Sequence, residues 1–383
     1  MNEITELKPF SIYIHLPFCN VKCNYCDFYV IIKQERKHQL LYSLLKEIEY
    51  FAEIYSTKGF LQTVYFGGGT PSIVEPEYIE TILSRIKKLF QHAEDWEVTL
   101  ESNPNTFDET KLKEFKSVGI NRLSIGVQSF LDEDLKFLTR DHDSKKAFES
   151  IENAIKSGFE NINIDLIFSI PGQTVDDWKK NLAFAVSFPI THISTYSLTL
   201  EPGTSLYYQV KHGLTYLSSI EQDADMYEYV MDFLPEHGFF QYEVSNFAKN
   251  GFESVHNLNY WYRINYLGFG PSSHSLWDNR RWHNYKNITR YDESIKKNHH
   301  AIKNEEFLNP NEIYNERIYL GLRSKGINLV QFEEEFGINL LKSEENFFNE
   351  LFKNGFVIIE NNVLKLTKKG YLLVDEICEQ LII

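Results

Sequence analysis

The chain has 383 residues, of which 43% are hydrophobic and 15% are aromatic, and its formal net charge is −15. This size allows one large domain with a full core and a smaller one beside it. The strong negative charge disfavours general binding to nucleic acid or to anionic membranes.

The N-terminal stretch, MNEITELKPF, has no basic region followed by an apolar one, so we do not expect a secretory signal. No uncharged apolar run is long enough to span a bilayer. We therefore expect no membrane segment, and at most peripheral contact with membrane-bound partners. Because cysteines are few and no export signal is present, a cytoplasmic location is predicted.

From Ser11 to about Asn246, short apolar runs alternate with amphipathic stretches, which predicts repeated βα units. Several runs are apolar nearly throughout, as in parallel strands that are covered on both faces. A parallel α/β sheet or barrel is predicted, and periodicity alone does not separate a barrel from an open doubly wound sheet. The predicted strands are SIYIHL, TVYFGG, WEVTLES, RLSIGVQS, NINIDLIF, THISTYSL and QYEVSNF, and helices are predicted at 35–54, 76–92, 143–157, 174–187 and 219–237.

The rest of the chain divides into two parts, which gives predicted domains of 1–246, 247–309 and 310–383. Residues 247–309 are predicted to be an aromatic-rich connecting region, and we expect residues 247–300 to be irregular. In the last part, FVIIENNVLKLT predicts a hairpin with an Asn-Asn turn, and KKGYLLVDEICEQL predicts a helix. This helical, winged-helix-like domain has no basic patch, so a lid or a docking function is favoured over DNA binding.

Three cysteines lie close together in the stretch HLPFCNVKCNYCDF, where Cys19, Cys23 and Cys26 have the spacing Cys-x3-Cys-x2-Cys. Thiolates favour iron–sulfur clusters or zinc, and a structural zinc site needs a fourth ligand nearby. The only other cysteine of the sequence is the distant Cys378. Three thiolates suit a [4Fe–4S] cluster with one open iron. A zinc site completed by His15 or Asp27, or inert thiols, are the alternatives.

Polar and glycine residues follow the predicted strands. The run Gly67–Pro71 follows the second strand, where glycines either bring the backbone close to a ligand or simply form a tight turn. Glu101 and Gln128 end the next two strands, and Arg140 comes shortly afterwards. Asp165 lies inside an apolar run, where a carboxylate needs a partner, either a ligand or a nearby arginine. In a barrel such groups meet at the carboxyl ends of the strands.

The cysteine run, with the aromatic Tyr25 before its third cysteine, resembles the signature of radical S-adenosylmethionine (SAM) enzymes. In that superfamily SAM chelates the open iron of a [4Fe–4S] cluster, and an electron from the cluster cleaves SAM to methionine and a 5′-deoxyadenosyl radical. The resemblance implies a partial TIM-type (β/α)6 barrel. It also implies that SAM is contacted by Tyr13, Tyr25, Gly68, Gly69, Thr70, Glu101, Gln128, Arg140 and Asp165.

Longer stretches resemble the branch around oxygen-independent coproporphyrinogen III oxidase, among them SIYIHLPFC, YFGGGTPS, IGVQSF, NIDLIFSIPGQT and YSLTLEPGT. Those oxidases typically carry a further cysteine where this chain has Phe28, and a longer segment before the first cysteine. Oxidase activity is therefore not expected. Cys26-Asp27-Phe28 instead resembles the HemW-like heme chaperone branch.

The segment HNLNYW, with His256, Tyr260 and Trp261, resembles the HNxxYW motif that is associated with heme binding in that branch. An imidazole is a common axial ligand of heme iron, and aromatic rings offer broad faces to a porphyrin. The residues alone also allow a histidine satisfied by hydrogen bonds, with Tyr260 and Trp261 in a core. His274, in GFGPSSHSLW, is a second candidate for the pocket.

The predicted function is therefore that of a heme chaperone with a [4Fe–4S] cluster, SAM and heme, in which His256 ligates the heme iron. Its predicted partners are a heme-accepting protein and an electron donor such as a flavodoxin or ferredoxin, with no nucleic acid. The alternatives are oxidative decarboxylation of coproporphyrinogen III to protoporphyrinogen IX, and radical SAM chemistry on an unrelated substrate.

Overall fold

The structure is a computed structural model, and it describes residues 7–383. The strands are β1 (Lys8–Leu16), β2 (Gly59–Gly68), β3 (His92–Ser102), β4 (Arg122–Gln128), β5 (Asn161–Phe168), β6 (His192–Ser197), β7 (Phe240–Gln241), β8 (Asn246–Ala248), β9 (Asn265–Phe269), β10 (His274–Trp277), β11 (Arg280–Asn284), β12 (Ile302–Phe307), β13 (Ile327–Asn328), β14 (Val357–Glu360) and β15 (Val363–Leu366).

The helices are α1 (Lys37–Tyr55), α2 (Pro76–Leu89), α3 (Glu109–Ser117), α4 (Asp132–Phe137), α5 (Ser144–Lys156), α6 (Val175–Val186), α7 (Ser205–Lys211), α8 (Ile220–Glu236), α9 (Val255–Trp261), α10 (Ile288–Asn298), α11 (Pro310–Leu322), α12 (Leu329–Phe336), α13 (Leu340–Ser343), α14 (Glu345–Lys353), α15 (Lys368–Tyr371) and α16 (Val374–Leu381).

Strands β1 to β6 pair in sequence order and in parallel, with at least one helix between each pair. This is the α/β partial barrel that the family resemblance implies, and it resolves the choice between a barrel and an open sheet that periodicity left undecided. Nearly every residue of β4 is buried, because helices cover one face of the sheet and the barrel interior lies against the other. The carboxyl ends of all six strands therefore lie at one rim, where the loops that carry the cysteines and the glycine run also lie.

The helices bury one face each, at the spacing that their sequences predict. Helix α2 begins at Pro76, whose ring suits the first turn, and it buries Ile79, Ile82, Leu83 and Ile86. Burial of each of these side chains stabilises the fold by about 2 kcal/mol. An aspartate at position 82 would place a charge in this core and break the packing of α2 against the sheet.

Residues 246–307 continue the sheet, so the prediction of an irregular connection was wrong. Strand β9 pairs in parallel with β1, and β10, β11 and β12 follow in antiparallel order. The predicted strand QYEVSNF is in fact the short antiparallel pair β7 and β8, because Glu243 accepts a hydrogen bond from the Ser245 backbone N–H and reverses the chain. The bounds of the three predicted domains stay predictions.

The C-terminal part has its own hydrophobic core, which includes Ile318, Phe348, Leu364 and Cys378. The predicted hairpin is confirmed: β14 and β15 pair through an Asn361-Asn362 turn with φ of 50° and 62°. The predicted final helix is instead two helices, α15 and α16. Within the described residues, no helix combines the length and the apolar character needed to cross a membrane.

Candidate functional site

The loop that follows β1 carries the three neighbouring cysteines. It is tied back to itself, because the Cys19 N–H donates to the Ile31 carbonyl at 3.1 Å and the Cys26 N–H donates to the Cys23 carbonyl at 3.3 Å. Cys19 is buried, with its Sγ 3.4 Å from Thr70 Oγ1, and no cysteine of residues 7–383 forms a disulfide. All three side chains line one cavity of about 480 Å³, which we call the cysteine cavity.

The cysteine cavity also contains most of the side chains for which the sequence predicts contact with SAM. The exception is Tyr13, which lies in a neighbouring cavity, where its hydroxyl is 3.1 Å from His15 Nδ1. The parallel strands explain the convergence, since each strand delivers its last residues to the same rim. The predicted SAM contacts that line the cysteine cavity are Tyr25, Gly68, Gly69, Thr70, Glu101, Gln128, Arg140 and Asp165.

The glycine run packs against the cysteine loop, and this contact requires glycine. Gly68 has φ of 114°, and a Cβ atom there would lie 2.7 Å from the His15 ring. A Cβ on Gly69 would lie 2.6 Å from the Phe18 carbonyl oxygen. The Gly69 and Thr70 N–H groups donate to carbonyls of the cysteine loop region, at 2.8 and 2.7 Å. The two loops therefore form one unit.

Two carboxylates lie in the cysteine cavity. Glu101 accepts hydrogen bonds from Tyr65 Oη at 2.9 Å and from the Gly68 N–H at 3.1 Å. Burial raises its pKa to about 7, although the Tyr65 hydrogen bond acts in the opposite direction. Asp165 accepts from Asn163 Nδ2 at 2.8 Å and from Ser124 Oγ at 3.2 Å, and burial raises its pKa too. Among the described residues, Asp165 forms no ion pair with an arginine, and its hydrogen-bond partners are the neutral side chains of Asn163 and Ser124.

Arg140 stands beside the cysteines. Its Nη1 lies 3.6 Å from Cys23 Sγ, and its Nη2 donates to the Gly126 carbonyl at 2.8 Å. Gln128 ends β4 with φ of 68°, an uncommon conformation for a residue other than glycine, and the pairing of β4 with β5 shifts register at this point. The local distortion directs this end of β4 towards the cavity.

Arg122 is a candidate residue that sequence reasoning missed. It begins β4, is only 1% exposed and lines the cysteine cavity. Its Nε lies 4.0 Å from Glu97 Oε2, and among the described residues this buried nitrogen has no hydrogen-bond partner. Its charge opposes the effect of burial on the pKa values of Glu101 and Asp165. An arginine inside an apolar strand is the signal that would have found it.

The cysteine cavity fits a cluster that is held by three thiolates. Burial raises the pKa of the Cys19 thiol to about 11 and also raises that of Cys26, so a cationic centre is needed to keep these groups ionised. Within residues 7–383, no three His, Cys, Asp or Glu side chains converge as ligands of a single metal ion.

A second cavity, of about 680 Å³, lies on the other side of the cysteine loop, and we call it the aromatic cavity. Asp27 and Phe28 line both cavities. Strand β1 and the cysteine loop also contribute Tyr13 and Tyr29, and distant elements contribute Tyr260 on α9, His274 on β10 and Tyr319 on α11. The C-terminal part of the chain therefore closes one side of this cavity.

The HNLNYW segment forms α9, which Glu97 holds by accepting the Val255 and His256 N–H groups at 3.0 Å. His256 is 1% exposed and lines neither cavity. Its Nδ1 lies 2.7 Å from Thr63 Oγ1 and its Nε2 lies 3.0 Å from Tyr260 Oη, and burial lowers its pKa to about 3. Tyr260 lines the aromatic cavity and the half-buried Trp261 does not.

Comparison with known proteins first defines the class. The model of the Radical SAM superfamily matches residues 13–185, and that of the HemN C-terminal domain matches residues 308–373. The solved structure reported as "Coproporphyrinogen III oxidase (HemN) from Escherichia coli is a Radical SAM enzyme" superposes with a TM-score of 0.84 at 23% identity, over 97% of this chain and 90% of that one. The fold is that of a radical SAM protein with a HemN-type C-terminal domain.

Relatives with higher identity then define the family. The heme chaperone HemW of Bacillus subtilis is 36% identical over 96% of this chain and 97% of its own length. The heme chaperone HemW of Lactococcus lactis is 34% identical over 98% of both chains. The chain therefore belongs to the HemW family of the radical SAM superfamily.

Proposed function

We propose that this protein binds heme and transfers it to an acceptor protein in the cytoplasm, and that it carries a [4Fe–4S] cluster and SAM in the cysteine cavity. The observation that carries the proposal is the nearly full-length likeness to heme chaperones, in a chain whose three cysteines line one cavity with the predicted SAM contacts. An electron donor such as a flavodoxin or ferredoxin belongs to the same proposal.

The cysteine cavity offers a distinct partner for each part of these cofactors. Cys19, Cys23 and Cys26 would hold three irons and leave the fourth to SAM. When bound, the cluster and SAM supply one-electron chemistry. The Glu101 carboxylate, fixed by Tyr65 and Gly68, is suited to accept from the ammonium group of SAM.

Two further groups suit the remaining polar parts of SAM. The Asp165 carboxylate, oriented by Asn163 and Ser124, is suited to accept from ribose hydroxyls. Arg140 brings a positive charge to the Cys23 thiol and is suited to pair with a carboxylate. Among the described residues, neither Asp165 nor Glu101 forms an ion pair that would compete with these contacts.

Two measurements test the function. Heme-loaded protein is incubated with heme-depleted membranes, and the transferred heme is followed by the reduced-minus-oxidised absorbance of the washed membranes. The same reconstituted protein is then given coproporphyrinogen III, SAM and a reductant without oxygen, and the porphyrin product is analysed. Heme transfer without protoporphyrinogen supports the chaperone. Several turnovers to protoporphyrinogen would establish the oxidase alternative, and absence of heme binding would overturn the proposal.

A further inference from the structure

We propose that the aromatic cavity is the heme site, with His274 as the iron ligand and with Lys286 as a partner of a heme carboxylate. This inference rests on the proposed function and deepens it, because it assigns the cargo to a particular cavity. It also moves the iron ligand away from His256.

The aromatic cavity suits a flat macrocycle in size and in composition. Its volume of about 680 Å³ lies within the range of small-molecule sites, about 300–1,000 Å³. Most of its aromatic lining consists of tyrosines, which offer flat apolar faces with a polar edge. Tyr13, Tyr29, Tyr260, Tyr266 and Tyr319 all line it.

His274 is free to coordinate iron, and His256 is not. Among the described residues, the ring nitrogens of His274 have no hydrogen-bond partner, and its side chain is exposed at the start of β10. Thr63 Oγ donates to Ser11, so His256 Nδ1 must donate to Thr63, and Tyr260 must donate to His256 Nε2. Binding of the heme iron by His256 would break this buried hydrogen-bond network. The His256 side chain also lies outside the lining of the aromatic cavity.

The electrostatic surroundings keep His274 ready to act as a ligand. Partial burial of the ring in the cavity wall, the neighbouring His283 and the charges of Lys286 and Arg281 lower its pKa. A neutral imidazole is the form that binds a metal. His283 stacks on His274 across the β10–β11 pair, with ring centroids 5.2 Å apart, yet it does not line the cavity.

The charged groups of the aromatic cavity leave one cation available for a carboxylate. Arg263 and Arg281 both pair with Glu316, and Arg281 also donates to Glu306 at 2.7 Å. Lys286 is exposed and, within residues 7–383, forms no ion pair. Asp27 is the other acidic group of the lining, and it lies on the cysteine loop.

Phe28 connects the aromatic cavity with the cysteine loop. Phe28 is 62% exposed although it lies two residues after Cys26, and it lines both cavities. A large exposed apolar side chain at a cavity mouth is explained when a ligand covers it. A macrocycle in the aromatic cavity would contact Phe28 and thereby the loop that carries the cysteines.

The test is a hemin titration of the full chain and of four histidine variants, followed by the Soret band. We expect His274→Ala to shift the band and to weaken binding at least about tenfold, the effect of losing one strong contact. His38→Ala is the control, an exposed histidine on α1 that does not line the cavity, and it should keep the wild-type spectrum. His256→Ala should lower the melting temperature but keep the Soret position. Free imidazole should restore the wild-type band to His274→Gly, which a purely structural role would not allow.

A second titration tests Lys286 as the carboxylate partner. Lys286→Ala should weaken binding of hemin and leave binding of its dimethyl ester unchanged, since the ester has no charged carboxylates. A Soret band that is unchanged in His274→Ala and shifted in His256→Ala would overturn this inference and leave the chaperone function standing. Failure of the wild type to bind heme would overturn the proposed function itself, so the two failures are distinct.

Discussion

The cysteine cavity and the aromatic cavity share one wall, Asp27 and Phe28, but are otherwise built in different ways. The cysteine cavity takes its side chains from the ends of consecutive parallel strands, so order along the chain becomes proximity at one rim. The aromatic cavity brings β1 together with β10 and α11, and more than two hundred residues of the sequence separate β1 from either of them. A site of the first kind is visible in local motifs, whereas one of the second kind depends on the tertiary fold.

The largest effect that separates the two cavities is expected from Cys23→Ala. Two thiolates do not hold a [4Fe–4S] cluster firmly, so iron and acid-labile sulfide should fall to background after anaerobic reconstitution. Heme binding should persist, because Cys23 does not line the aromatic cavity. Metal and sulfide analysis, together with a hemin titration, measures both results.

Cys378→Ala is the matched control for this variant. Cys378 is fully buried in the C-terminal core, where Arg323 Nη1 lies 3.5 Å from its Sγ, so its loss should leave the iron content unchanged. Stoichiometric zinc in place of iron in the wild type would contradict the cluster.

The next effect is expected from Asp165→Ala, which should weaken SAM binding by about tenfold to a hundredfold, as expected for loss of hydrogen bonds to a charged group. Isothermal titration calorimetry on reconstituted protein measures the affinity. Asp134→Ala is the control, because Asp134 is also a buried carboxylate with a raised pKa, held by Ser129 and Gln173, but it does not line the cavity. Equal SAM affinity in wild type and Asp165→Ala would remove Asp165 from the site.

The sequence predicts the cysteine cavity better than the aromatic cavity, for physical reasons. Apolar runs separated by amphipathic helices predict β1 to β6, and the residues at the ends of such strands must converge. Arg122 was missed because it is the first residue of β4, whereas the prediction considered the residues at the carboxyl ends of the strands. Tyr13 was grouped with the SAM contacts by resemblance, and the structure places it in the aromatic cavity; its contact with SAM stays a prediction.

The strands of residues 246–307 could not be predicted from local patterns. They are short, and β11 carries Arg280, Arg281 and His283, which do not suggest a strand. Their pairing follows from long-range contacts such as β9 with β1. HNLNYW is recognisable as a motif, yet only the helix geometry reveals that Tyr260 faces the aromatic cavity while His256 does not. The role of these residues in heme binding stays a prediction.

A smaller, graded effect of pH on the affinity for SAM is expected, because Glu101 titrates. The ammonium group of SAM needs an ionised carboxylate, and the Glu101 pKa of about 7 means that the group takes up a proton as the pH falls from 8 to 6. SAM affinity should therefore fall, by up to about tenfold per pH unit below that pKa. Glu101→Gln should remove the dependence. Glu243→Gln, which removes another buried carboxyl of raised pKa outside the cavity, should retain it.

Folding stability should respond to Glu101 in the opposite direction. Its folded-state pKa is raised above the ordinary glutamate value, so the stabilisation due to protonation is complete below pH 4.5 and is lost as the pH rises through about 7. Without SAM, the melting temperature of the wild type should fall more between pH 5 and pH 8 than that of Glu101→Gln. Identical pH profiles of the two proteins, in both binding and melting, would show that Glu101 does not titrate in this range.

The smallest effect is expected at the shared wall, from Phe28→Ala. Because the side chain is 62% exposed, its removal should change folding stability by less than about 0.5 kcal/mol. A heme that covers this ring would lose about 1 kcal/mol of apolar contact, so hemin affinity should fall about fivefold. Phe28→Leu preserves most of the apolar surface and should recover most of the affinity. If Phe28→Ala binds hemin as tightly as the wild type, the macrocycle does not touch the cysteine loop, and the two cavities work without contact through this wall.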